Sequence, residues 1–119
     1  MRAAAAKERA LEQEFLDTSA ERSQFLRDGQ PRKANKAYDR LHQLKVQMRR
    51  LPDRGEVAFK RMCCVEDVEL RLLAAANLLA LDEAYAIGVL KEIAALPVGL
   101  TSLGAKTTLQ EWRSGALTD

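Results

Sequence analysis

The chain has 119 residues, of which 47% are hydrophobic and 30% charged, and it carries a net charge of +2 at pH 7. That balance excludes a disordered tail and gives enough length to bury roughly two-thirds of the unfolded surface without staples. Only three prolines and six glycines interrupt runs of Ala, Leu, Glu, Lys, Arg and Gln, the residues that lose least entropy in a helix, and β-branched runs are absent. An all-α single domain is expected.

Ala3 to Ala6 are too short for the apolar core of a signal peptide, and no stretch approaches the ~18 apolar residues of a membrane span. A cytoplasmic location away from the membrane is therefore expected. The first helix is predicted over residues 3–28, with Leu11, Phe15, Thr18, Arg22 and Phe25 on one face and Leu16 and Leu26 widening it. Its Ala-rich first turns hold no large apolar side chain and are expected to project or fray. Asp28-Gly29-Gln30-Pro31 stops it, with Gly29 as a left-handed cap.

A second helix is predicted over 32–51, with Ala34, Tyr38, Leu41, Leu44, Met48 and Leu51 on its apolar face. Lys33, Lys36, Arg40, Lys45, Arg49 and Arg50 are assigned to the opposite face. Leu51-Pro52 ends the helix, because a residue before proline is pushed out of the helical region. Shorter helices are predicted at 54–64, 67–81, 83–96 and 100–114, with Asp67 and Asp82 as N-caps and Pro97-Val98-Gly99 between the last two. The nearly uncharged run from Leu72 to Leu81 reads as a buried helix.

An offset of thirty residues aligns Val68, Leu70, Leu73, Ala75 and Leu79 with Val98, Leu100, Leu103, Ala105 and Leu109. The preceding helix aligns conservatively at the same offset, as a helix–turn–helix repeat should. The expected layout is two long helices over 3–51 and two helical hairpins over 53–115. Charge is uneven: residues 1–50 hold twelve Lys/Arg against seven Asp/Glu, whereas residues 51–119 hold seven against ten.

Two resemblances follow from these residues. The stretch Val68-Glu69-Leu70-Arg71-Leu72-Leu73-Ala74-Ala75-Ala76-Asn77-Leu78-Leu79 resembles the second helix of a HEAT-type repeat. Lys33-Ala34-Asn35-Lys36-Ala37-Tyr38-Asp39-Arg40-Leu41, the Leu70-to-Leu79 stretch and Ala105-Lys106-Thr107-Thr108-Leu109-Gln110-Glu111-Trp112 resemble the uncharacterised bacterial family known as domain of unknown function 2019. The resemblance covers about three-quarters of the chain, residues 25 to 115. It implies a HEAT-like α-α superhelix of about six helices and brings no catalytic residues. Family members are similar to proteins encoded near secreted bacterial toxins, which implies a role as an immunity protein.

Enzyme chemistry finds little support. Nucleophilic catalysis needs a base beside the nucleophile and a group to orient it. His42 is the only histidine, and with Asp39 three residues before it reads more simply as a solvated pair. Glu66, Asp67, Glu69, Asp82 and Glu83 cluster at helix starts, where acids suit the helix dipole, so they are not an inward-facing carboxylate pair. No phosphate loop or metal-spaced cluster is present, and neither a cofactor nor a metal is expected. Cys63 and Cys64 are adjacent and read as buried, unbonded apolar fillers.

Binding remains. The cations of the second helix resemble an electrostatic footprint for nucleic acid, although no aromatic residue is embedded among them for base stacking. Asn35, a poor helix former in a first turn, and Tyr38, at the edge of the apolar face, are the leading partner-binding candidates, with Asp39, His42 and Arg49 on the same helix. The plainer reading has Asn35 starting the helix and Tyr38 in the core. Trp112 is either a cap of the core or an interface anchor. The expected partner is another protein, a toxin in the most concrete version or a second copy of this chain, with nucleic acid as the alternative.

Overall fold

The computed structural model describes residues 2–97 and 99–117, so Val98 and its expected match to Val68 lie outside the described residues. Six helices account for 78% of the structure, and no strand is present among the described residues. They are α1 (Arg2–Arg27), α2 (Pro31–Arg49), α3 (Glu56–Met62), α4 (Val68–Leu78), α5 (Glu83–Ala94) and α6 (Leu100–Ser114). None is long and apolar enough to cross a membrane. The chain divides into two compact units, Met1–Ala58 and Phe59–Asp119.

In the first unit, α1 and α2 pack along each other as a hairpin. Helix α1 stops as its sequence demands. Gly29 takes a left-handed φ of 68°, its N–H donates to the Leu26 carbonyl, and the Gln30 N–H donates to the Phe25 carbonyl at 2.8 Å. This is a Schellman cap, which satisfies carbonyls that the helix end leaves open. Pro31 then opens α2, where its missing N–H costs nothing. The cross-helix contacts Glu14–Arg40, Arg22–Tyr38 and Phe25–Lys33 advance on one helix as they retreat on the other, so the hairpin is antiparallel.

Leu11, Phe15, Thr18 and Ser19 of α1 are buried, as are Ala34, Ala37, Leu41, Leu44 and Met48 of α2. Two expectations change here. Leu26 is 49% exposed and adds nothing to the α1 face. Tyr38 does not belong to the apolar face of α2; Ala37 fills that place, lying three residues after Ala34 and four before Leu41. One residue further on, the tyrosine is rotated about 100° outward.

After α2 the chain turns through Arg54 and Gly55, both at positive φ. The Asp53 carboxylate accepts from the N–H groups of Gly55 and Val57 at 2.9 and 3.1 Å and so launches α3. In the second unit, α4, α5 and α6 pack against one another. Both expected N-caps are present: Asp67 accepts from the N–H groups of Glu69 and Leu70, and Asp82 accepts from that of Tyr85. Gly104 lets α6 approach α4 closely, since a Cβ there would stand 3.1 Å from a Leu72 methyl. At the thirty-residue offset, Ala75 and Ala105 are both buried, as are Leu79 and Leu109, whereas Leu70 is buried and Leu100 is 89% exposed.

Candidate functional site

Asn35, Tyr38, Asp39, His42 and Arg49 fall on one side of α2, at spacings of three, one, three and seven residues. They cover an arc of about 100°, turned away from the buried face. All are exposed except Arg49, which is partly covered. Val46 completes the ridge, and sequence reasoning passed over it. A lone valine among charged residues gives no periodic signal, yet here it is 48% exposed.

Tyr38 is the centre of the ridge and is 45% exposed. The His42 ring meets it edge-on, with centroids 5.2 Å apart, and the Arg22 guanidinium from α1 lies 5.5 Å from the tyrosine centroid. A ring held on its face by a cation and on its edge by an imidazole keeps its orientation while remaining in solvent. These two contacts restrict the orientations open to an aromatic ring that is still exposed. Sequence reasoning missed Arg22 as a site residue, because it had been placed on the apolar face of α1.

The cations of α2 do not form one free face. Lys33, Lys36 and Arg40 turn toward α1, where they line a groove of about 510 Å³ opposite Glu14, Asp17 and Glu21. Arg40 pairs with Glu14 at 2.6 Å, and the Lys33 ammonium lies 5.8 Å from the Phe25 centroid. Half of the expected electrostatic footprint thus faces carboxylates of the same chain, which lowers the potential it could offer a phosphate backbone.

No protein-family model, curated protein or solved structure matches this chain. Its chemistry has to be read from its own side chains. Trp112 is on α6 in the second unit and is partly buried; its carbonyl accepts from the N–H of Gly115, which ends that helix at a φ of 80°. Among the described residues, no group of three or more His, Cys, Asp or Glu could hold a metal ion.

The cysteines differ from expectation. Cys63 is buried, but Cys64 is exposed, and both are free thiols. Helix α3 ends at Met62, and of the two residues that follow it one is buried and the other exposed. Burial, with a smaller contribution from Cys64, pushes the Cys63 thiol up to about 11, against a partial offset from the Arg71 charge.

Proposed function

We propose that the chain is a non-enzymatic protein-binding module that engages its partner through the α2 ridge. The observation that carries this reading is Tyr38, exposed yet held by His42 and Arg22. Tyrosine and arginine are the residue types that dominate binding hot spots, and Val46 adds an apolar contact beside them. The ridge has mixed charge, with Asp39 between Arg22 and Arg49, which suits a protein surface better than a uniformly anionic backbone. Neutralisation of a cognate bacterial toxin in the cytoplasm is the most concrete version, and it rests on the resemblance to the domain of unknown function 2019 family. A HEAT-like arrangement of the helices belongs to the same reading; the paired burial of Ala75 with Ala105 and of Leu79 with Leu109 supports it.

Co-expression with the product of an adjacent open reading frame tests the immunity version. A secreted effector encoded there should co-purify with this chain and lose its toxicity. A neighbour that is not toxic, or one whose toxicity this chain leaves unchanged, would remove it.

A further inference from the structure

We infer that the open groove between α1 and α2 is a self-association surface, on which a second copy of this chain docks through a twofold axis parallel to the two helices. The groove lies wholly within the Met1–Ala58 unit and shares no residue with the α2 ridge. Its walls are sorted by charge: Glu14, Asp17 and Glu21 come from α1, and Lys33, Lys36 and Arg40 from α2. Asp17, Glu21, Lys33 and Lys36 are exposed. Arg40 is engaged by Glu14 at 2.6 Å and Lys33 lies against the Phe25 ring, but among the described residues Glu21 and Lys36 make no ion pair. Each wall thus keeps one unanswered charge.

The hairpin geometry decides which charges a second copy meets. The contacts Glu14–Arg40 and Phe25–Lys33 bracket Glu21 and Lys36, so these two stand at about the same height along the antiparallel hairpin. A twofold axis parallel to the helices and above the groove keeps every height and exchanges left for right. It lays α1 of one copy over α2 of the other, antiparallel, and sets Glu21 opposite Lys36 of the second copy twice over. An axis across the helices would instead stack acids on acids and bases on bases. Only the parallel axis makes the face self-complementary, as an isologous interface requires.

The same sorting argues against other occupants. A phosphate backbone meets the acidic wall, and a uniformly acidic or basic peptide meets one wall of its own sign. The wall charges balance, three against three, so closing two copies face to face adds no net repulsion. Beneath them Thr18 and Ala37 are buried and Phe25 is partly covered, which leaves little apolar area for the copies to share. The contact is accordingly weak and held by screened surface pairs, so the chain is monomeric when dilute and dimeric when concentrated.

Sedimentation equilibrium of the full-length chain is the test. At about 20 mM salt the mean mass should rise from that of the 13.3 kDa monomer toward twice that value as concentration approaches roughly 0.5 mM, the range expected of a small polar interface. Salt at about 300 mM should weaken association roughly tenfold, because exposed pairs are screened. Glu21→Lys and Lys36→Glu, each at an exposed position, should fold and melt as the original does yet stay monomeric. An equimolar mixture of the two should dimerise again, since each then supplies the sign that the other faces; a structural defect would not be cured in this way. A chain that stays monomeric at the highest concentration in low salt would overturn the proposal without any variant. So would a dimer indifferent to salt or to both substitutions, or a mixture that remains monomeric.

Discussion

At the scale of single residues, Asn77 shows how burial and satisfaction part company. Its amide nitrogen donates to the Leu73 carbonyl at 2.9 Å, but its Oδ1 is buried without a partner. That acceptor lost its water on folding and gained nothing in return. Asn77→Ala removes the orphan and improves helix propensity, so it should shift stability by less than about 0.5 kcal/mol or raise it. Leu78→Ala, one residue on and fully buried, should cost about 2–5 kcal/mol. Chemical denaturation of both variants checks the contrast, and a larger loss for Asn77→Ala would mean that the amide is satisfied in solution.

Asp82 supplies a pH prediction. Its hydrogen bond from Lys60, and then that from the Tyr85 N–H, hold its carboxyl below the usual carboxylate range. A depressed folded value means that the contribution is present above the unfolded value of about 3.9 and is lost as pH falls through the folded one. Asp82→Asn keeps a capping oxygen but loses the charge. The melting temperatures of the two proteins should differ at pH 7 and draw together as pH falls below the usual carboxylate range. A gap that stays constant across that range would remove the charge from the account.

At the scale of elements, the helices and their stops were legible because local chemistry decides them. Gly29 before Pro31, Asp67 and Asp82 each act within a turn or two of their own position. Asp53 was missed as a cap because Pro52 directs attention to the end of α2 and away from the start of α3. The buried side of α2 was read one residue off, since a tyrosine signals a core position more loudly than Ala37 does. Exposure is a tertiary property, so neither Cys64 nor Leu26 could be placed by pattern alone. Helix α1 follows the same logic: Leu11 and Phe15 are buried, whereas residues 5–7 are exposed. Removing residues 1–9 should leave the melting temperature within a few degrees, because no large apolar side chain goes with them. Removing residues 1–29 takes away Leu11 and Phe15, each worth about 1.5–3 kcal/mol, and should cause aggregation. If the longer truncation stays monomeric with an unchanged melt, α1 is a docking element and not part of the core.

At the scale of the whole molecule, the net charge of +2 hides a division, with cations in excess over residues 1–50 and acids over residues 51–119. A basic first half reads at once as a nucleic-acid footprint. The structure tempers that reading, because α1 places Glu14, Asp17 and Glu21 along the groove where Lys33, Lys36 and Arg40 lie. The sequence could show the cations but not which of them α1 would face. On the outward side of α2 lies the ridge around Tyr38, with one tyrosine, one histidine and one valine among its charges. A packed protein interface tolerates salt, whereas phosphate neutralisation weakens steeply as salt rises. Tyr38→Ala should leave the fold intact, since the side chain is exposed, and should remove an anchor worth about 2 kcal/mol or more if it is a hot spot. The decisive measurement is affinity capture by the original and Tyr38→Ala chains, with and without nuclease, at about 50 and 200 mM salt. A protein retained by the original chain at both salts, and lost with Tyr38→Ala, is the predicted result; retention of nucleic acid alone, fading at the higher salt and indifferent to Tyr38, would contradict it.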